Sequence, residues 1–499
     1  MPLVLGVDSS TQSTKVELRD ADDGTLVGAA RAPHPAVHPP CSEQDPEAWW
    51  EALRSAAAEA TADGTHDVAA VSVAAQQHGM VVLDGAGRPL RAAKLWNDTE
   101  SAPEAAAMVA GLGAGEWATR TGSVPVAAFT VTKLAWLARH EPGTARAVRS
   151  VLLPHDYLTY RLTGRMVTDR GDASGTGYFD PAGGAWLPGL LEEVVGPGDW
   201  AARLPAVLGP TEAAGPLGAA GAAALDIGRT GLVGPGTGDN MAAALGLGLA
   251  PGRVAISIGT SGTVFARSAG PSADPTGTVD GFADAAGGFL PLVCTLNATR
   301  VTGAVARLLG VTDEGLDALA FAGPSGASGT TLLPYFDGER TPDRPAATGV
   351  LAGLRSEVTR EDLARAAVEG VVCGLLDALD ALAAVVPAEE GPLLLAGGGA
   401  RSPAFRRVLA DLSGRPVLVS DLDEAVATGA AVQAAAVLTG RPLDEVQTAW
   451  GLGGGSTVEP DGSVDAAAVR DAYAALRAGS QPAPTAGVAP GADRGSGAR

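Results

Sequence analysis

An aspartate that follows a glycine-rich turn is the residue best suited to acid–base chemistry in this chain. Asp239 comes after Gly236-Thr237-Gly238 and precedes the apolar segment 241–249, which predicts a helix near whose N-terminus Asp239 lies. The helix dipole would stabilise the ionised carboxylate, so we expect its pKa to be low. An ionised aspartate can orient and deprotonate a hydroxyl during phosphoryl transfer. The same pattern also suits an aspartate that only caps a helix.

A second acidic residue, Asp8, lies between a strand and a run of hydroxyl-bearing residues. It follows the apolar segment 3–7 and precedes Ser9-Ser10-Thr11. A carboxylate beside hydroxyls at the end of a strand suits a hydrated Mg²⁺ ion, bound to Asp8 through water. The alternative is an aspartate that closes a hairpin turn by bonding to nearby backbone.

The strand–turn–strand pattern around Asp8 occurs twice, about half the chain apart. Residues 3–19 contain the first copy and residues 254–265 the second, whose turn is Gly259-Thr260-Ser261-Gly262. Turns built from Gly, Ser and Thr present several amides and hydroxyls to one point, which suits phosphate. The repeat predicts a nucleotide held between two related domains. Two ordinary hairpins are the alternative.

A run of small residues connects a strand to a helix in the second half of the chain. Gly397-Gly398-Gly399-Ala400 follows the apolar segment 393–396 and precedes Ser402-Pro403, which predicts the start of a helix. Without side chains, the backbone can be approached closely by a flat or bulky ligand such as adenosine. The spacing does not match a dinucleotide-binding fingerprint. A plain strand–helix turn is the alternative.

Two polar clusters follow apolar segments in the first half of the chain. They are Gln76-Gln77-His78-Gly79 and Trp96-Asn97-Asp98. Amide, imidazole and carboxylate groups grip hydroxyls from two directions, and a Trp ring covers the C–H face of a sugar. Ligands of α/β proteins bind at strand ends, where such clusters lie. Buried core residues are the alternative, above all for the lone His78.

Strands and helices alternate in both halves, which predicts layered α/β domains. We expect strands at 68–74 and 393–396, and a helix that starts at Asp45-Pro46. Further helices are predicted at 155–163, 241–249, 362–382, 425–438 and 466–478. The predicted division is an N-terminal domain at 1–246, a C-terminal domain at 252–440, a helical extension at 441–480 and a disordered tail at 481–499.

The composition narrows the classes of partner. The 499 residues carry a net charge of −21, so nucleic acid and anionic membranes would repel the chain. Its three cysteines are far apart and form no CxxC pair, which indicates neither a disulfide framework nor a zinc cluster. The N-terminus does not resemble a signal peptide, and no apolar run is long enough for a membrane span. We therefore expect a soluble, cytoplasmic protein.

The order of these motifs resembles that of the FGGY carbohydrate kinase family, over about residues 3–475. The motifs that carry the resemblance are Asp8–Thr11, Ser42–Pro46 with Trp49-Trp50, Gln76–Gly79, Leu95–Asp98, Thr132–Leu137, Leu153–Leu158, Gly238–Asn240, Ser257–Gly262, Gly338–Pro342 and Gly397–Ser402. The segment 349–369 fits the second signature of the family. The first signature is met less well, because Ala128 stands where a larger residue or Gly is usual.

The resemblance implies two ribonuclease-H-like (actin-like ATPase) domains that flank a catalytic cleft. It implies Asp239 as the general base and Asp8 at the phosphate and the Mg²⁺ ion. The sugar site would comprise Gln77, His78, Trp96, Asn97, Asp239 and Asn240. The ATP site would comprise Ser10, Thr11, Lys15, Thr260, Ser261, Gly397, Gly398, Gly399, Ala400 and Ser402.

Within the family, the motifs are most similar to those of enzymes that phosphorylate D-xylulose with ATP. One residue departs from that pattern, because Gln77 stands where Met is frequent, and a new side-chain hydrogen bond there would alter the sugar preference. Other pentulose or polyol kinases, acting on ribulose, ribitol or glycerol, therefore stay open, as does an actin-like ATPase that is not a kinase. Related kinases are often dimers, so the resemblance also admits a homodimer.

Overall fold

The computed structural model describes residues 2–62, 68–225, 231–387 and 389–480. The predicted tail at 481–499 lies outside the described residues. Two large mixed sheets, one from each half of the chain, form the framework. No helix in the described part of the chain is both long enough and apolar enough to cross a membrane.

The first half contains fifteen strands and ten α-helices among its described residues. The strands are β1 (Leu3–Ser9), β2 (Ser13–Asp20), β3 (Leu26–Pro33), β4 (Glu43–Gln44), β5 (Val68–Ala75), β6 (Val81–Leu83), β7 (Ala93–Lys94), β8 (Ser150–Leu152), β9 (Val167–Asp169), β10 (Phe179–Asp180), β11 (Ala185–Trp186), β12 (Ala206–Leu208), β13 (Gly215–Pro216), β14 (Leu232–Val233) and β15 (Thr237–Gly238). The helices are α1 (Pro46–Ala60), α2 (Ala102–Leu112), α3 (Ala114–Thr121), α4 (Thr130–His140), α5 (Pro142–Ala147), α6 (Pro154–Thr163), α7 (Arg170–Ser174), α8 (Pro188–Val194), α9 (Ala219–Leu225) and α10 (Asp239–Gly246).

The second half contains nine strands and seven α-helices among its described residues. The strands are β16 (Val254–Ile258), β17 (Gly262–Ala266), β18 (Asp280–Ala283), β19 (Phe289–Thr295), β20 (Thr331–Leu333), β21 (Val350–Ala352), β22 (Leu393–Ala396), β23 (Val417–Ser420) and β24 (Gly455–Val458). The helices are α11 (Thr299–Leu309), α12 (Asp313–Ala322), α13 (Arg360–Val385), α14 (Pro403–Ser413), α15 (Ala425–Thr439), α16 (Leu443–Ala449) and α17 (Ala466–Gly479).

The same strand arrangement is built in both sheets. In the first, β1 forms an antiparallel hairpin with β2 and pairs in parallel with β5. In the second, β16 forms an antiparallel hairpin with β17 and pairs in parallel with β22. The repeat seen in the sequence is therefore also a repeat of topology, and each hairpin turn lies at the end of the central strand of its sheet.

Local sequence signals explain where the elements begin and end. Asp45 caps α1 by accepting a hydrogen bond from the backbone of Glu47, and Pro46 occupies the first helical position. Gly164 ends α6 in the left-handed conformation, which glycine adopts without steric cost. Helix α10 starts at Asp239, two residues earlier than expected, and ends at Gly246.

The two halves share a packed interface. Helix α15 of the second half lies against α10, β1 and β5 of the first half. One buried apolar cluster accordingly contains residues of both halves, among them Val4, Leu245, Phe265 and Ala431. The cleft described below lies above this shared core.

Candidate active site

Three parallel strands bring the two aspartates to one edge of the first sheet. Strands β1 and β15 lie on either side of β5, and both pair with it in parallel. Asp8 is opposite Ala74, and Gly238, which precedes Asp239, is opposite Ala75. Because the carboxyl ends of parallel strands meet at the same edge, Asp8 and Asp239 face each other across the end of β5.

The surroundings of Asp239 raise its pKa well above that of an exposed aspartate. Burial, together with the negative charges of Asp8 and Asp172, raises the pKa of Asp239 to about 7. The backbone and side-chain amides of Asn240 both donate to Asp239 Oδ1, at 2.8 and 3.0 Å, and act in the opposite direction. The expectation of a low pKa from the helix dipole was therefore wrong, since burial and two nearby carboxylates outweigh the helix N-terminus.

Asp8 is buried beside a lysine at the base of the cleft. Burial raises the pKa of Asp8 to about 6, against the opposing charge of Lys15, whose Nζ lies 3.4 Å from Asp8 Oδ2. The other carboxylate oxygen, Oδ1, is buried and has no hydrogen-bond partner in the described part of the chain. An orphaned carboxylate oxygen fits a hydrated magnesium ion, which would supply the missing donor through its bound water.

The predicted sugar residues Gln77 and Asn240 contact each other directly. Asn240 Nδ2 donates to Gln77 Oε1 at 2.8 Å. The amide nitrogen of Gln77, Nε2, is buried without a partner among the described residues. A buried donor that lacks an acceptor costs free energy, so this amide is available to an oxygen atom of a bound ligand.

His78 is held as a neutral imidazole next to this pair. Its Nδ1 donates to the carbonyl oxygen of Gly175 at 2.6 Å, and its ring stacks on Phe129 with the centroids 4.9 Å apart. Burial, with the charge of Lys133, lowers the pKa of His78 to about 3. Because Nδ1 carries the proton, Nε2 is left as a hydrogen-bond acceptor.

Trp96 and Asn97 border the cleft near the first hairpin turn. Trp96 Nε1 donates to Thr11 Oγ1 at 2.9 Å, and Thr11 Oγ1 donates to Gln76 Oε1 at 3.0 Å. This chain of bonds connects the two polar clusters of the sequence to the turn between β1 and β2. The structure therefore brings the predicted sugar and phosphate residues of the first half together.

A cleft of about 2120 Å³ separates the two hairpin turns. Residues of both halves border it, including Ser10, Thr11, Lys15, Trp96, Asn97, Thr260, Ser261, Gly397, Gly398 and Ala400. Asp8, Gln77 and His78 are buried beneath these residues, whereas Asp239 and Asn240 are partly exposed. The volume is sufficient for two small ligands side by side.

Lys15 connects the two halves across the cleft. Its Nζ lies 2.6 Å from Glu424 Oε2, at the start of α15, in addition to its contact with Asp8. Burial opposes the charge, but Asp8 and Glu424 raise the pKa of Lys15 above its usual value. Glu424 was not among the predicted site residues, because nothing local in the sequence relates it to Lys15, 409 positions away.

The three glycines after β22 do not have the same surroundings. A Cβ at Gly397 would lie 2.7 Å from the carbonyl oxygen of Ile258, and one at Gly399 would overlap the side chain of Ile258. A Cβ at Gly398 would meet only the Arg401 side chain, at 3.9 Å. Gly397 and Gly399 are thus required for packing against β16. Gly398 borders the cleft and has room for a side chain.

Ser402 does not border the cleft. Its hydroxyl caps α14 by accepting from the backbone of Phe405 at 3.1 Å, and it donates to Asp317 Oδ1 at 2.6 Å. Gly399 is likewise absent from the residues that border the cleft. The remaining predicted ATP residues all reach it.

A buried polar network that we did not predict lies beneath Asp239. Thr237 Oγ1 donates to Asp169 Oδ2 at 2.7 Å, and His155 Nδ1 lies 2.7 Å from Asp172 Oδ2. Burial opposes the charge on His155, but the surrounding carboxylates raise its pKa to about 9. The only local signal is that Asp169 caps the short helix α7.

One further group of ligand atoms could in principle hold a metal ion. Cys41, Glu43, Asp98 and Glu100 place their polar atoms within 4.8 Å of one another. The ammonium of Lys94 already lies among the carboxylates, at 2.9, 3.2 and 2.5 Å from Glu43, Asp98 and Glu100. A cation of the chain itself therefore already occupies this cluster.

Comparisons with known proteins agree with this architecture. A xylulose kinase of Streptomyces rubiginosus is 48% identical over 92% of this chain and 92% of its own. The solved structure of a xylulose kinase from Bifidobacterium adolescentis is 42% identical, with a TM-score of 0.81 over 95% of this chain and 99% of its own. A Plasmodium falciparum glycerol kinase with ADP, 18% identical over 97% of this chain and 99% of its own, shares the fold with a TM-score of 0.84.

Two family models match consecutive parts of the chain. The N-terminal domain model of the FGGY family of carbohydrate kinases matches residues 3–246, and the C-terminal domain model matches residues 254–438. Together with the solved structures, these matches confirm the predicted α/β fold class with two actin-like halves. The chain belongs to the FGGY family of carbohydrate kinases.

Proposed function

We propose that this enzyme transfers the γ-phosphate of ATP to the terminal C5 hydroxyl of D-xylulose. The observation that carries the proposal is the position of Asp239 opposite Asp8, with the Gln77–Asn240 pair and neutral His78 beside them. In this proposal, Asp239 would be the base, the cluster around Gln77 would bind the sugar, and the turn after Asp8 would bind phosphate, all at one strand edge. The relatives named xylulose kinase support the choice of a pentulose.

In the proposed reaction, Asp239 accepts the proton of the sugar hydroxyl as the bond to phosphorus forms. A base with a pKa of about 7 is half ionised at neutral pH and is close to the value that favours proton transfer. Asn240 donates to one oxygen of this carboxylate and so fixes its orientation. The free Nε2 of His78 and the buried amide of Gln77 would hold neighbouring sugar oxygens.

ATP would lie between the two turns, with its phosphates near Ser10, Thr11, Thr260 and Ser261. Lys15 would exchange its contact with Glu424 for a phosphate oxygen, and Gly398 would face the adenosine. Asp8 would bind Mg²⁺ through water, and the ion supplies charge neutralisation to the phosphates. Closure of the cleft would exclude water, which otherwise competes with the sugar as acceptor.

The decisive experiment is a panel of sugars and polyols in a coupled assay of ADP release. We expect D-xylulose to give the highest kcat/KM among D-xylulose, ribulose, ribitol and glycerol, with xylulose 5-phosphate as the product identified by mass spectrometry. Preference for another acceptor would replace D-xylulose in the proposal, and the amide of Gln77 would be the first place to look for the reason. ADP release without a phosphorylated sugar would overturn the kinase activity proposed for this chain.

A further inference from the structure

The backbone carbonyl of His78 accepts two side-chain hydrogen bonds from helix α4. Lys133 Nζ donates to it at 2.9 Å, and Thr130 Oγ1 donates to it at 3.1 Å. Both donors are fully buried, and both come from the first turn of α4. Two donors on one carbonyl oxygen fix the plane of the peptide that follows His78.

The backbone at this point requires such support. His78 has a φ of +63°, in the left-handed region that residues other than glycine rarely adopt. A non-glycine residue persists there only when its surroundings compensate for the strain. The left-handed turn aims the His78 ring at Gly175 and leaves Gln77 beside Asn240.

Lys133 is an unusual choice for a purely structural donor. Its ammonium also donates to the carbonyl oxygen of Ala128, so that both of its hydrogen bonds end on backbone oxygens. Burial lowers the pKa of Lys133 to about 7, with Asp98 acting against this change and Lys94 adding to it. A buried ammonium without a carboxylate partner costs free energy. A requirement of the neighbouring site therefore explains Lys133 better than fold stability alone does.

We infer that Lys133, with Thr130, is a positioning residue that holds the left-handed turn at His78 and thereby sets the geometry of sugar binding. The inference rests on the proposed function, because it takes Gln77 and His78 as the residues that contact the sugar. Lys133 itself touches neither the ATP turns nor Asp239. Its removal should therefore affect the sugar and leave the nucleotide largely unaffected.

The test compares three variants of the full-length enzyme. Lys133→Met and Thr130→Val each remove one donor to the His78 carbonyl at nearly constant volume. Thr132→Val is the matched control, because Thr132 is equally buried on the same turn of α4 but its hydroxyl contacts Ser101 and the carbonyl oxygens of residues 126, 127 and 129 instead of that of His78. For each variant, KM for the sugar, KM for ATP and kcat are measured, along with thermal unfolding.

We expect Lys133→Met to raise KM for the sugar by about tenfold, and Thr130→Val by about threefold, in line with the loss of a charged and a neutral hydrogen bond. KM for ATP should change by less than about twofold in both, and Thr132→Val should behave as wild type. A folded Lys133→Met enzyme with an unchanged KM for the sugar would overturn the inference. So would a Thr132→Val enzyme that loses sugar affinity as much as Thr130→Val. If Lys133→Met does not fold, the two threonine variants decide.

A readout without substrate separates this inference from the proposed function. The chain has six histidines, so selective ¹⁵N labelling gives a spectrum in which the His78 ring can be assigned. Lys133→Met and Thr130→Val should shift the His78 signals, whereas Thr132→Val should leave them in place. Unchanged His78 signals in the first two would refute the positioning role, whichever sugar the enzyme phosphorylates. If the enzyme prefers another polyol, the same kinetic comparison is made with that polyol.

Discussion

At the scale of single residues, burial shifts the pKa values of the ionisable side chains in the site. The pKa of Asp239 is raised to about 7 and that of Asp8 to about 6, both chiefly by burial. His78 is kept neutral by the same cause.

The raised pKa of Asp239 predicts a specific pH dependence. Below pH 7 this carboxyl carries a proton and cannot accept another, so kcat/KM for the sugar should fall as the pH decreases through about 7. Asp239→Asn should lower kcat by at least about 100-fold at pH 8, the low end for loss of a general base. Asp411→Asn, in a buried carboxylate of α14 outside the cleft, is the control. Near-normal turnover in Asp239→Asn would remove it from the proposed role.

The different surroundings of the three glycines after β22 give a second prediction. Gly398→Val should fold normally and raise KM for ATP far more than KM for the sugar, because its side chain would point into open space beside the cleft. Gly399→Val should instead destabilise the fold by overlapping Ile258. Steady-state kinetics and thermal unfolding distinguish the two. The proposed adenosine site at Gly398 fails if KM for the sugar is the constant that rises.

At the scale of elements, the crossing of α10 and α15 determines how the halves meet. A Cβ at Gly246 would overlap the carbonyl oxygen of Ala425, and one at Gly429 would overlap that of Ala242. Glycine at both positions lets the two helix backbones touch. Helix α10 begins with Asp239, and α15 follows Glu424, which pairs with Lys15. The crossing of the two helices therefore also sets the position of the proposed base relative to Glu424.

Gly429→Ala should therefore destabilise the protein even though alanine is the better helix former. We expect a loss of about 1–3 kcal/mol in the free energy of unfolding, typical of overpacking. Gly111→Ala in α2 is the matched control, since a Cβ there meets no atom within 4 Å. That change should be neutral or stabilising by up to about 1 kcal/mol. Chemical denaturation of both variants checks this, and equal stability of the two would contradict the packing argument.

At the scale of the whole molecule, α15 belongs to the second half by sequence but packs on the first sheet. Arg19 donates to Thr428 Oγ1 at 3.0 Å, and Ser72 Oγ donates to Gln433 Oε1 at 3.1 Å. These buried bonds span the proposed division between residues 246 and 252. The division into two domains and the homodimer stay predictions, and so does the use of Mg²⁺.

The shared interface predicts that the two halves unfold together. Differential scanning calorimetry of the ligand-free enzyme should show one transition, because separation of the halves would expose α15 and the apolar cluster around Leu245. D-xylulose together with a non-hydrolysable ATP analogue should move that single transition to higher temperature. Two resolved transitions would show that the halves are thermodynamically independent, in contradiction to this prediction.

The sequence by itself located many of the helices and strands and supplied the candidate residues of the site, because both depend on local patterns and motifs. Apolar runs and capping residues located β5, α1 and α6, and the repeated turn located the two hairpins. The motifs then identified Asp8 and Asp239 as neighbours, which strand pairing in the structure agrees with.

Only the tertiary structure decided the properties that depend on distant parts of the chain. Burial, and not the helix dipole, sets the pKa of Asp239. Ile258 packs against Gly397 and Gly399 but leaves open space at Gly398. Asp317 accepts a hydrogen bond from the hydroxyl of Ser402. Likewise, Lys133 reaches the His78 carbonyl from 55 positions away. Burial and contacts between residues far apart in sequence arise only when the elements pack, so no local pattern could contain them.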